Sequence, residues 1–281
     1  MTQNPLEKLY RSKKLHVSLP TNGAYYPSGI KLSVDGEIGV MPMTAADEIK
    51  LKTPDSLFNG EALFELFKSC VPDVVNPEEM PICDVDKLLI AIRVATSGVN
   101  MDISATCPAC DQSDVYQIDL TQIMNTAQPI PLDNLVPISE GVTVEISPLA
   151  LSNQVKSQIE TFYHYRMQQM INDDSTDTEK KAQIFDEALL KAITIQISQI
   201  ADCIMKVSIE EPNEDPIEVT DRDHIFQWVE NMDSATHAKI KDALEILSDP
   251  KMDNEITLRC HNSECNHEYP IKVDLNPVNF F

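Results

Sequence analysis

Short runs in which apolar and polar residues alternate occur toward both ends of this chain, and apolar residues recur at helical spacing between them. Ile30-Lys31-Leu32-Ser33-Val34 and Glu37-Ile38-Gly39-Val40-Met41 alternate on either side of Asp35-Gly36, which predicts an N-terminal β-hairpin. The stretch before it, Leu19 to Gly29, is rich in Pro, Gly and Tyr and reads as a loop laid against another surface. Thr44 followed by Asp47 and Glu48 is a helix N-cap with acids in the first turn, and the helix should stop before Pro54. Leu57, Leu63, Phe64, Leu66 and Phe67 predict a second amphipathic helix ending near Cys70. Asp84 to Ala95 reads as a buried helix stopped near Gly98, with a buried strand over Leu89 to Val94 as the competing reading.

Farther along, Gly141 to Ile146 alternates as a strand, and Ser147-Pro148 supplies an N-cap with proline at the first helical position. A helix from Pro148 to Ile171 would align Val155, Ile159, Phe162, Tyr163, Met167 and Met170. After the polar turn Asn172 to Asp177, a helix from Thr178 to Val207 would carry Ile184, Ala188, Leu189, Ile193, Ile197, Ile200 and Ile204 on one face, making an antiparallel helical hairpin. The acidic stretch Glu210 to Pro216 reads as a solvent-facing loop or turn, and shorter helices follow over Asp223 to Asn231 and Ser234 to Leu247.

The chemistry of the chain is concentrated in its cysteines. Four of the seven lie in two close pairs, Cys107/Cys110 and Cys260/Cys265. Asp102-Ile103-Ser104-Ala105-Thr106 precedes the first pair and Tyr116-Gln117-Ile118-Asp119-Leu120 follows it; Glu255-Ile256-Thr257-Leu258-Arg259 precedes the second, and Tyr269 to Leu275 follows. Each pair thus sits on the turn between two β-like runs, the second ending in Asp-Leu. Two such knuckles present four thiolates to one Zn²⁺, so Cys107, Cys110, Cys260 and Cys265 are the expected ligands of a split zinc ribbon. His261 and His267 stand as alternative ligands beside the second pair. A redox CxxC requires a helix starting at the cysteines, and Asp111-Gln112-Ser113-Asp114 leads into a strand instead. An odd number of cysteines and no leader at Met1 to Pro5 argue against a pair of disulfides. Cys70, Cys83 and Cys203 fall in apolar or helical patterns and read as buried thiols.

Composition narrows the function classes. The 281 residues are 42% hydrophobic, enough for a real core, and no apolar run is long enough to span a bilayer. With 22 Lys and Arg against 45 Asp and Glu, the formal charge is −23, which repels phosphate backbones and argues against nucleic acid as a partner. The cluster Lys8 to Lys14 is the one basic stretch, a solvated arm or a dock for an acidic protein. No Gly-rich phosphate loop, HExxH or GxSxG pattern occurs, and seven glycines leave little scope for close backbone contact with nucleotides. His164, His224, Trp228 and His237 read as packed or surface residues, so no catalytic residue is expected. A closed thiolate site would have no open coordination position and would act as a structural clasp.

Met41-Pro42-Met43-Thr44-Ala45-Ala46-Asp47-Glu48, then Leu57, Asn59-Gly60 and Leu63, then Leu88 to Arg93, then Cys107-Pro108-Ala109-Cys110 occur in this order. Together they resemble the baseplate hub assembly proteins of contractile-tailed bacteriophages of the T-even type. The resemblance covers residues 15–120, with Cys260 to Leu275 as a weaker echo. The four residues between Cys260 and Cys265 depart from the usual two, which is why the histidines beside them stay open as ligands. The resemblance implies a non-enzymatic hub component or hub assembly factor, made in the host cytoplasm, sited in the tail baseplate, and acting on baseplate hub and other tail proteins. The Pro/Tyr-rich loop and the terminal Phe280-Phe281 would be contact points. A zinc-ribbon module of a transcription or replication complex is the alternative, and it predicts a basic stripe that the composition lacks. A metalloenzyme would need three protein ligands and a water, with one cysteine dispensable. The expected fold is α+β, with a β arm over 1–43, a helical segment over 44–98, the first knuckle and linker strands over 99–146, a helical insert over 147–252, and the second knuckle and tail over 253–281.

Overall fold

A computed structural model describes residues 4, 6, 9–52, 60–131, 133–158, 178–212, 215–249, 251–275 and 280, with backbone alone over 178–188. Along the chain run β1 (Leu15–Ser18), β2 (Glu37–Val40), α1 (Ala45–Leu51), α2 (Glu61–Cys70), α3 (Ile82–Ser97), β3 (Asn100–Thr106), β4 (Ser113–Asp119) and α4 (Leu120–Met124). They are followed by β5 (Leu135–Ser139), β6 (Val142–Ile146), α5 (Thr178–Cys203), β7 (Ile204–Ile209), β8 (Ile217–Val219), α6 (Arg222–Asn231), α7 (Ser234–Ser248), β9 (Glu255–Arg259) and β10 (Glu268–Lys272). The fold is α+β, and the chain divides into two compact units. The first takes residues 1–77, 84–129 and 250–281; the second takes 78–83 and 130–249.

In the first unit α3 is the central element. Leu88, Leu89, Ile90, Ala91 and Ile92 are all buried, so this helix is apolar around its circumference and is packed on every side. That is why apolar periodicity alone left a strand as its rival. Gly98, at φ +90°, ends it in the left-handed region, with its N–H on Val94 O at 2.9 Å. Helix α1 begins in a capping box: Thr44 accepts from the Asp47 N–H at 3.2 Å while Asp47 accepts from the Thr44 N–H at 2.7 Å. Arg11, from the basic cluster, is a clamp rather than a solvated arm. Its guanidinium donates to Pro42 O (2.5 Å), Ser69 O (2.9 Å) and Asp47 (3.4 Å), tying the segment before β1 to α1 and α2. Burial works against the Asp47 carboxylate, but bonds from Thr44 and Ser69 and the Arg11 charge hold it below the usual range.

The expected hairpin is corrected. Strand β2 pairs antiparallel with β1, Val17 opposite Ile38, and not with Ile30 to Val34. The Asp35-Gly36 turn does form, with Gly36 at φ +77° and Ser33 N–H on Glu37 O at 2.8 Å. Beyond the turn Val34 is fully exposed, and Ile30 makes only an isolated bridge to Val74. Val17, Ile38 and Val40 are buried, so β1 offers β2 a core-facing partner that Ile30 to Val34 cannot.

The second unit is a four-stranded antiparallel sheet in the order β5-β6-β7-β8 with helices α5, α6 and α7, so the helical insert expected over 147–252 also carries strands β7 and β8. The long helix ends at Cys203 and the chain passes directly into β7; Ile204, Val207 and Ile209 are β-branched, and a register shift beside Met205 lets Ile204 pair with Ile146 while Val207 pairs with Val144, completing a ladder on β6. Arg222 closes the helix end, donating to Ala201 O (2.9 Å) and Ile204 O (3.1 Å). Ser147-Pro148 does not start a helix either. Ser147 N–H bonds Cys203 O (2.7 Å), Ala150 bridges Pro81, and helical residues begin at Leu151. Helices α6 and α7 form where expected, capped by Asp221 and Asp233. Leu57, residues 159–171 with Phe162, Tyr163, His164, Met167 and Met170, and the polar turn 172–177 lie outside the described residues.

The Tyr-rich loop is held by one buried carboxylate. Asp84 accepts from Thr21 N–H (3.0 Å), Thr21 Oγ1 (2.5 Å) and Tyr26 Oη (2.7 Å), pinning the loop onto α3. Burial pushes its carboxyl up to about 6 despite those bonds and the nearby Lys87. The folded state therefore holds a proton on Asp84 that the unfolded chain releases near 3.8, and its contribution to stability falls as pH rises from about 4 to about 6. Asp84→Ala, which strands three donors, should destabilise by about 3 kcal/mol in urea melts. Asp84→Asn should lose less and flatten the pH dependence of the midpoint in that window; an unchanged slope would refute the assignment.

Candidate metal centre

Hairpins β3–β4 and β9–β10 present the two cysteine pairs on their turns, both within the first unit. In the first turn Cys107 N–H bonds Gln112 O (2.9 Å) and Asp111 N–H bonds Cys107 O (2.9 Å); in the second Cys260 N–H bonds His267 O (2.9 Å) and Cys265 N–H bonds Asn262 O (3.0 Å). The residue after each second cysteine is left-handed, Asp111 at φ +56° and Asn266 at φ +47°. Asp and Asn tolerate that region better than other side chains, so both knuckles close the same way despite their unequal spacing. A cross-link also joins the flanks: the Thr126 hydroxyl accepts from Asp253 N–H (2.8 Å), holding the exit of the first hairpin against the approach to the second.

The structure brings the sulfurs of Cys107, Cys110, Cys260 and Cys265 within 4.8 Å of one another, a cluster that could hold a metal ion. Cys107 Sγ and Cys265 Sγ are 3.9 Å apart, and Cys110 Sγ and Cys260 Sγ 3.6 Å. These spacings are far longer than a covalent S–S bond of ~2.05 Å. They bracket the ~3.8 Å edge of a tetrahedron whose metal–sulfur bonds are ~2.3 Å. Cys107 and Cys260 are buried, Cys265 is half-buried and Cys110 exposed. Backbone N–H groups point at the sulfurs: burial opposes ionisation of Cys107, but Ala109 and Cys110 N–H with the neighbouring thiols bring it down to about 7. Cys260 is pushed up to about 12: the Asn262 N–H acts against this, and burial and the other three thiols outweigh it. Crowding of this kind is relieved when a cation takes the place of the protons.

Neither histidine belongs to the cluster. His261 turns outward, its Nδ1 2.8 Å from Asp114 Oδ2 and its ring 4.4 Å from that of Tyr116; His267 stacks on Tyr269 at 6.2 Å. Tyr116 and Tyr269, one from each hairpin, are buried and meet through their hydroxyls at 3.3 Å, with rings edge-on at 6.5 Å. The Tyr116 hydroxyl, then burial, pushes the Tyr269 phenol up. Sequence reasoning missed this pair, although each tyrosine lies on the strand that returns from its cysteines. Cys70 and Cys203 are buried and not part of the cluster, and burial pushes their thiols up to about 11 and about 12. Among the described residues no helix is long and apolar enough to cross a membrane.

Neither the curated proteins nor the solved structures contain a match to this sequence. A family model described as T4 bacteriophage base plate protein does match, over residues 17–281, and so takes in both units and all four clustered cysteines. With nearly the whole chain inside that match, this protein belongs to the T4 bacteriophage base plate protein family.

Proposed function

We propose that this chain is a non-enzymatic component or assembly factor of the baseplate hub, acting through protein–protein contacts, and that Cys107, Cys110, Cys260 and Cys265 bind one structural Zn²⁺. The observation that carries the zinc assignment is the spacing of the sulfurs, 3.6 and 3.9 Å across the two knuckles. Thiolate donors in a tetrahedral arrangement favour zinc over the harder cations, and four of them leave no site for water. The ion would then contribute folding energy by joining hairpins far apart in sequence. Synthesis in the host cytoplasm suits such a site because thiolates persist there. The hub assignment rests on the family together with the acidic surface, which disfavours nucleic acid as a partner.

Elemental analysis of the purified protein should find one zinc per chain. Each single Cys→Ser change at these four positions should abolish stoichiometric zinc and lower Tm by roughly 10 °C. Full zinc retention by any one variant would instead indicate a three-ligand site. Acid should release the metal as the thiols regain their protons, and chelator should reproduce the variants' melting behaviour.

The biological role is tested by counting this chain against known tail proteins in purified virions and in infected-cell lysate. A fixed small copy number in particles identifies a hub component. Association with assembly intermediates but absence from particles identifies an assembly factor, and absence from both overturns the proposal.

A further inference from the structure

Each knuckle hairpin has two outer strand edges, and hydrogen-bond parity identifies the backbone groups on them. Cys107 N–H bonds Gln112 O and Leu120 N–H bonds Val99 O, both at 2.9 Å, so odd-numbered residues of β3 face β4. The N–H and C=O groups of Asp102, Ser104 and Thr106 therefore point outward. The bonds from Cys260 to His267 and from Val273 to Asn254 likewise leave Glu268, Pro270 and Lys272 outward on β10, and Glu255, Thr257 and Arg259 outward on β9.

The edges differ in how many outward groups they leave open. On β10, Pro270 has no N–H to offer and Lys272 adds charge. On β9 the outward Glu255 N–H is taken by Asp253 Oδ1 at 2.9 Å, and on β4 the outward Val115 N–H is taken by Asp114 Oδ1 at 2.8 Å. On β3 the outward groups of Asp102, Ser104 and Thr106 meet no backbone partner among the described residues; those of Thr257 and Arg259 on β9 meet none either, but of these two edges it is β3 that lines a cavity. This open edge forms one wall of a cavity of about 660 Å³, and β10 forms the other. Half-buried Met101, Ile103, Ala105 and Ile271 give it an apolar lining, and its charged groups, Asp102, Asp274 and Lys272, sum to a negative charge.

We propose that this groove receives an extended strand of a different protein, which pairs with the free β3 edge and alternates apolar side chains, packed on Ile103 and Ile271, with cationic ones facing Asp102. Unpaired strand edges select extended backbone, and the period of two in a strand separates the two kinds of side chain. A second copy of this chain is disfavoured by its formal charge of −23. The inference deepens the hub reading by naming its contact surface, and it rests on that reading only for the class of partner.

The test uses the full chain with a short fluorescent peptide of alternating valine and lysine. Binding should slow amide exchange at Ser104 and Thr106. Ser104→Pro removes an N–H that the β3–β4 ladder does not use and should weaken binding roughly tenfold. Asp102→Lys should weaken it without touching the backbone, which keeps the inference testable if the proline variant misfolds. Unchanged exchange at both amides, or affinity indifferent to both substitutions, overturns the groove. In infected cells, a photo-cross-linker at Ser104 should capture an extended segment of a tail protein, while one at Val115 should not. Capture from Val115 alone, or of a second copy from Ser104, overturns the groove and leaves the hub reading intact. Failure to associate with any tail protein overturns the hub reading, and the peptide result then decides the groove by itself.

Discussion

The first unit depends on the meeting of two β-hairpins separated by nearly half the chain. The chain leaves this unit after Pro129 and re-enters it at Pro250, so its integrity requires a contact strong enough to offset the loop entropy of a long excursion. Small two-stranded ribbons bury too little to hold one another by apolar area alone. What holds them here is local and chemical: four sulfurs within 4.8 Å, two tyrosine hydroxyls touching behind them, and the bond from Asp253 to Thr126 at the base. A cation held by the four thiols would add its binding free energy to these contacts.

The rest of that unit is built by polar anchors on an apolar helix. Helix α3 supplies burial in all directions, and the loops around it are placed by single charged groups: Asp84 gathers Thr21 and Tyr26, and Arg11 gathers Pro42, Asp47 and Ser69. Such groups are expensive to bury, and they are tolerated because every one is met by several donors or acceptors. They fix segments that have no regular hydrogen-bonding ladder of their own. Arg222 does the same in the second unit, where it takes the last carbonyls of α5.

The edges of the knuckle hairpins bear on function in another way. Pro270 offers no N–H, Asp253 and Asp114 each take up one outward N–H, and on β3 the outward groups of Asp102, Ser104 and Thr106 stay unpaired among the described residues. An unpaired edge of this kind is a template for another strand and an aggregation hazard when left uncovered, which is the physical basis of the groove proposed above.

Local chemistry was legible in the chain: the Thr44 cap, the Asp-Gly turn, the alternation on either side of each cysteine pair, and the capped helices after Asp221 and Asp233 all stand where their residues place them. Each depends on neighbours a few positions away, and spacing reports such neighbours directly. The tertiary structure alone decided which strands pair and where the long helix stops. Val17 competes with Leu32 as the partner of β2 and wins because it lies on the buried side of the sheet. Ile204 continues the helical period of α5, yet it is the first residue of β7 and joins the ladder on β6 through a register shift, a choice that only the waiting edge of β6 makes. Sequence likewise named the four cysteines, but that His261 turns to Asp114 while Tyr116 meets Tyr269 depends on two hairpins being brought face to face, and spacing within one hairpin holds no record of the other.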